Sequence, residues 1–178
     1  MLKYHQLRRH TIAHTHAELQ NIIDANDARR IKLTEITTEA LKAEQAWKAN
    51  THLAKSRAIG WDWYEALKVY RRNHAARMEL AIWLDENLCG LMLGKPSTSK
   101  MVMKLNYIQG APYEHSLKGY VVPIAILYAE LYASALAVRW LGTQDPLEEP
   151  ALIDYYHRLG FTRPDPFDPR NNALFKAL

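Results

Sequence analysis

The side chains best suited to bind a metal or move a proton are His10, His14 and His16, and the adjacent Glu114 and His115. His10 and His14 are spaced i, i+4, which puts them on one face of a helix. His16 points elsewhere, and no neighbour supplies the further ligands that a zinc-type site requires. These histidines read as a polar helix face, and no metal site is expected. Glu114 and His115 stand in a polar loop, where an imidazole titrating near neutral pH suits a general base. The same pair is equally compatible with an exposed loop. Trp61-Asp-Trp-Tyr-Glu-Ala-Leu-Lys-Val-Tyr70 is dense in aromatic residues, but helical spacing favours a packing stripe of Trp61, Tyr64, Leu67 and Tyr70 over a ligand box.

The element that must position such groups runs from Gly119 to Leu141. It is apolar on every face, with Glu130 its only charge before Arg139. Such a helix is either a membrane span or the buried centre of a domain. Pro123, Glu130, Ser134 and the lack of a second such segment favour the buried helix. It is read from about Pro123 to Ala135, with Pro123 in the first turn, and Leu136 to Leu141 as the strand that follows.

Upstream, Ile12, Leu19, Ile22 and Ile23 predict a helix from Thr11, as cap, to Asn26. Ile31 to Ile36 alternates as a half-buried strand. A helix capped by Thr37 or Thr38 runs to Asn50, and another spans Trp61 to Arg72. Three strands follow: Glu79–Leu84 and Leu88–Leu93, joined by Asp85-Glu86-Asn87, then Met101–Ile108. Downstream, a helix spans about Leu147 to Leu159 with Gly160 as its C-cap. A strand begins at Phe161-Thr162, Pro164 to Pro169 is a loop, and Ala173 to Leu178 is a strand or a short helix.

The 178 residues, 48% hydrophobic and 24% charged, suffice for one globular domain. The lone Cys89 excludes a disulfide framework, and the first ten residues lack the apolar core of a secretory signal, so a cytoplasmic protein is expected. Lys and Arg (23) exceed Asp and Glu (19), a mild and dispersed basic balance open to a nucleic acid or a phosphorylated cofactor.

The order strand, two helices, three antiparallel strands, buried helix, strand, helix, strand resembles the GNAT superfamily of N-acetyltransferases. The resemblance covers about Ile31 to the C-terminus, leaving residues 1–30 as an N-terminal helical extension. Glu79 to Gly94 is similar to the family's second and third strands. Gly119 and the apolar helix resemble its phosphate-binding loop and central helix. Ala151-Leu-Ile-Asp-Tyr-Tyr-His-Arg-Leu-Gly-Phe161 is similar to its Ala-x-x-x-Tyr-x-x-x-Gly-Phe ending.

The resemblance implies a mixed α/β (α+β) fold with a mostly antiparallel central sheet flanked by helices. It implies acetyl-coenzyme A (acetyl-CoA) as co-substrate and an amine acceptor. The N–H groups around Leu117, Lys118, Gly119, Tyr120 and Val121 would hold the pyrophosphate, with Tyr107 and Ile108 beside the cofactor. Tyr156 would protonate the departing thiolate, and Glu79 and Asn106 would border the cleft. The general base is not fixed: Glu114 and His115 beside the loop are candidates, and an ordered water is the alternative that many family members use. The acceptor is open among a small amine, a protein lysine and an aminoacyl-tRNA, and so is a homodimer.

The chain also departs from the family pattern. Ser116-Leu-Lys-Gly-Tyr-Val121 keeps one glycine, with valine at the second small position. Pro123 removes an amide, and Gln109 to His115 looks like an insertion. A GNAT-like module that binds a protein or nucleic acid without catalysis is therefore the alternative.

Overall fold

The computed structural model describes residues 2–49, 60–144, 150–168 and 170–178. Its strands are β1 (Ile31–Thr34), β2 (Met78–Leu84), β3 (Asn87–Pro96), β4 (Val102–Gly110), β5 (Trp140–Gln144), β6 (Arg163–Pro164) and β7 (Ala173–Ala177). They form one sheet in the order β1-β2-β3-β4-β5-β7-β6. Every neighbouring pair is antiparallel except β4 and β5. The helices are α1 (Leu2–Glu18), α2 (Ala25–Arg30), α3 (Thr38–Ala49), α4 (Trp63–Asn73), α5 (Val121–Ala135) and α6 (Pro150–Arg158). The mixed, mostly antiparallel sheet expected from the sequence is present.

All of β2 is buried, as is β3 from Leu88 to Leu93, because both faces of the sheet are covered. Leu80, Ile82, Met92 and Met103 point into one core with Ile124, Tyr128 and Tyr132 of α5. Ala81, Trp83, Leu91 and Leu93 point into the other with Ile36, Trp47, Trp63 and Leu67. The β2–β3 hairpin turns on Asp85 and Glu86 alone; Asn87 already pairs with Leu84. Asp85 takes a left-handed φ of 52° and accepts bonds from the Arg30 guanidinium.

The apolar helix is the buried centre that its composition demands. Ile124, Ala125, Tyr128, Ala129, Tyr132 and Ala133 of α5 are fully buried. At about 1.5–3 kcal/mol for each large apolar side chain removed from water, this face anchors the fold. No described helix is long and apolar enough to cross a membrane. The strand after α5 begins at Trp140, not at Leu136. Ala137 adopts φ +55° and the Val138 N–H bonds to the Ala133 carbonyl at 3.0 Å, so Leu136 and Ala137 are spent on the helix stop.

The N-terminal helix differs most from its sequence reading. It spans Leu2–Glu18, where a helix from Thr11 to Asn26 was expected. Its buried side is polar: Arg8, Thr11 and Thr15 are nearly or fully buried, so no apolar period marks it. Thr11 caps nothing; its hydroxyl, like that of Thr15, bonds back to the carbonyl four residues earlier. Leu19 and Ile23 lie beyond the helix end, and Asp24 caps the separate α2 by accepting from the Asn26 N–H at 2.8 Å. Arg8 bonds Glu35 at 3.0 Å and the Ala75 carbonyl at 3.2 Å, tying α1 to the sheet. His16 meets the Ile31 carbonyl at 2.9 Å, and His14 faces Glu18.

The remaining elements shift by a few residues. Thr37 caps α3 by accepting from the Ala40 N–H, and the expected last residue, Asn50, lies outside the described residues. In α4 the buried stripe is Trp63, Leu67 and Tyr70, the i, i+4, i+7 set. Tyr64 is 58% exposed, and Trp61 precedes the helix. Leu147 to Glu149 of the helix expected before Gly160 fall outside the described residues. The strand expected from Phe161 is only Arg163–Pro164, because Phe161 plugs the core; the C-terminal segment is the strand β7.

Candidate active site

A parallel pair needs a crossover, and α5 supplies it between β4 and β5. The α5 N-terminus therefore lies at the same end of the sheet as the C-terminal ends of both strands. There the sheet opens. β4 and β5 pair from Val102–Trp140 to Leu105–Thr143 and no further, so Asn106 to Gly110 have no β5 partner. The separation starts at a bulge: Gly94 opposes Leu105 and Leu93 opposes Tyr107, leaving Asn106 as the extra residue. The unaccompanied half of β4 is braced from the α4 side. Trp63 Nε1 donates to Gln109 Oε1 at 2.6 Å, and Tyr107 packs against Trp61, Trp63 and Tyr70.

The loop above this gap presents unused amides. Lys118 N–H and Tyr120 N–H bond within the loop, and Ile124 N–H makes the first helical bond, to Tyr120. The N–H groups of Gly119, Val121 and Val122 have no acceptor among the described residues. Pro123, third in the helix, removes the next donor without breaking a helical bond. Gly119 stands at φ +89°, a conformation costly for a residue with a Cβ. Val121, at the family's second small position, turns its side chain into the core, where Gly90 leaves room for it. It does not obstruct the loop. These free amides fit an oxyanion group such as a pyrophosphate.

Lys118 is not a free charge, because Glu114 pairs with it. His115 is half-buried, with Nδ1 lacking a partner, and burial lowers its pKa although Glu114 works against this. Tyr156 lies buried against Phe161 at 5.7 Å, and burial pushes its phenol up to about 12. Its hydroxyl bonds no other described residue. Glu79, expected at the cleft, is instead buried in an ion cluster: Arg71 reaches it at 2.7 Å and Arg77 at 2.8 Å. Burial would raise its pKa, but these guanidinium bonds hold it below the ordinary value.

Two residues join the site that the sequence did not mark. Tyr155 donates to the Gly119 carbonyl at 3.4 Å, and the Arg158 guanidinium lies 5.9 Å from the Tyr155 ring. α6 thus braces the loop and brings a cation towards it. The i, i+3 spacing of Tyr155 and Arg158 was the available signal.

No family model and no curated protein matches the sequence. Solved structures do match. A PaiA N-acetyltransferase from Thermoplasma acidophilum, crystallised with coenzyme A, is 15% identical; the match covers 83% of this chain and 99% of that one, with a TM-score of 0.54. A GNAT-family structure from Desulfovibrio desulfuricans is 14% identical over 83% of this chain and 98% of its own, with a TM-score of 0.55. The fold is that of the GNAT acetyltransferases. A spermidine N-acetyltransferase SpeG chimera from Vibrio cholerae and hSSAT matches at 15% identity and a TM-score of 0.59, covering 83% of this chain and 95% of that one. The N-terminal helix α1 docks on α5 and β1.

Proposed function

We propose that the protein is an acetyl-CoA-dependent N-acetyltransferase. The observation that carries the reading is the gap between β4 and β5 beyond Leu105 and Thr143, with free loop amides at the same end. Gly119, Val121 and Val122 hold the pyrophosphate, Arg158 adds positive charge, and the stretch of β4 beyond Leu105, which has no register partner in β5, lines the thioester arm. A neutral amine attacks the thioester carbonyl, the C–S bond breaks, and the thiolate takes the Tyr156 proton. A phenol raised to about 12 carries its proton at neutral pH. His115, kept neutral by burial, accepts the amine proton; Glu114 is committed to Lys118.

The test is calorimetric titration with acetyl-CoA, followed by thiol release with a panel of amines. Binding in the micromolar range, about −8 kcal/mol, is expected. Absence of binding by folded protein would end this reading. The rival, a GNAT-like module that binds without catalysis, is favoured by the single loop glycine and the amide missing at Pro123. Turnover with any amine removes it.

A further inference from the structure

Just below the point where β4 and β5 part, a cavity of about 140 Å³ is lined by Lys104, Gly142, Thr143, Asp165, Asn171 and Phe175, among others. Lys104 alternates with Met103 and Leu105, which face α5, so its side chain is on the opposite face of the sheet. Gly142, opposite Lys104 in the register, carries no side chain to fill the space. The floor is Phe175 of β7, and Asp165, Asn171 and Asn172 close one side.

The two charges in the cavity are not alike. Asp165 is already engaged: its carboxylate accepts from the N–H groups of Phe167 at 2.8 Å and Asp168 at 3.1 Å, and from Asn171 Nδ2 at 2.9 Å. It shapes the segment that caps the cavity. Lys104 is half-buried and close enough to Asp165 for its charge to favour the ionised carboxylate, yet no ion pair or hydrogen bond joins it to a described residue. A half-buried ammonium whose neighbouring carboxylate, Asp165, is already taken up by three N–H donors can accept a further anion. At about 30 Å³ per water, the volume holds a group of a few heavy atoms. With a single lysine and Asp165 close by, a monoanion is preferred to a dianionic phosphate.

We infer that the acceptor is an amine that also carries a carboxylate, with Lys104 binding the carboxylate in this cavity. The inference rests on the acetyl-transfer reading. The carboxylate seated below the strand separation leaves the amine directed up towards the gap between β4 and β5. Lys104 is then a specificity-determining residue, selecting against acceptors that are cationic throughout.

Binding decides the question separately from turnover. Alanine and γ-aminobutyrate are titrated into the protein beside their decarboxylated counterparts, ethylamine and propylamine, and beside spermidine, with and without saturating coenzyme A. At least one carboxylated member is expected to bind ten-fold or more tightly than its counterpart. K104M should abolish that preference and K104R keep it, with the acetyl-CoA affinity of both variants unchanged as the control on folding. Equal binding within each pair, tighter binding of spermidine, no binding of any probe, or a preference surviving in K104M would each overturn the inference. Loss of acetyl-CoA binding by the unmodified protein would instead strike the acetyl-transfer reading.

Discussion

Leu105 of β4 and Thr143 of β5 are the last residues that these parallel strands hold in register. One residue further, the Asn106 bulge turns β4 away, and Tyr107 to Gly110 run on with a register partner in β3 alone. Away from its rims the sheet spends its backbone hydrogen bonds on itself. Here β4 has no strand partner on its β5 side, and the Gly119 loop, to which Tyr155 of α6 donates, leads into α5 at the same end of the sheet.

If Tyr156 delivers the final proton, Tyr156→Phe should lower kcat about 100-fold while leaving the affinity for acetyl-CoA in place, since a positioned acid contributes roughly 10²–10⁴. The hydroxyl bonds no described residue, so the melting temperature should barely change. Full turnover in the variant would remove Tyr156 from the role.

Gly119 and Gly160 share nearly the same backbone, φ +89° and +91°, but different duties. Alanine at either should cost about 1–2 kcal/mol of stability from the left-handed strain. A Cβ at Gly119 would meet nothing within 4 Å, so the damage there is to the direction of the amides. Acetyl-CoA affinity should fall about ten-fold in Gly119→Ala and stay unchanged in Gly160→Ala. Equal effects of the two on affinity would mean that the loop amides do not hold the ligand.

Gln109→Leu tests the brace on the free half of β4. It strands the buried Trp63 N–H, at a cost of about 1–3 kcal/mol. Amide exchange should quicken from Tyr107 to Gly110 more than at Val102 to Leu105, which β5 secures. Uniform acceleration along β4 would contradict the brace.

Glu79 links stability to acid. Its carboxyl is held below the ordinary value of 4.5 by Arg71 and Arg77 against the pull of burial. The stabilisation is therefore complete above the unfolded value and drains away as pH falls through the lower, folded one. Glu79→Gln should lose about 3 kcal/mol at neutral pH, because two guanidinium groups lose their counter-charge. Urea unfolding at several pH values should also show a flatter acid limb in the variant than in the parent. An unchanged limb would assign the acid sensitivity to other carboxylates.

The central helix was legible because a segment apolar on every side has one soluble solution, and the order of elements around it pointed to the fold. The N-terminal helix was not, since the residues it buries are Arg8, Thr11 and Thr15, whose partners are 27 to 67 positions away or on the helix's own backbone. Tyr156 and Gly119 could be picked out by motif. Lys104 could not: nothing local separates it from the other lysines. Its distinction comes from the cavity that Gly142 and the Asp165 segment create around it. Glu79 was read as a cleft residue from its strand, and only the positions of Arg71 and Arg77 show where its carboxylate is spent.

The two rims of the sheet have a consequence for how copies of this chain meet. β1 offers four residues, with Lys32 exposed in the middle, and β6 offers two, one of them a proline without an N–H. Neither is long enough or complete enough to template a strand from another molecule. The sheet is thus closed to growth by strand addition. An association that spared these short rims would be built from side chains on helical surfaces, where single substitutions can tune or abolish it without disturbing the ladder inside.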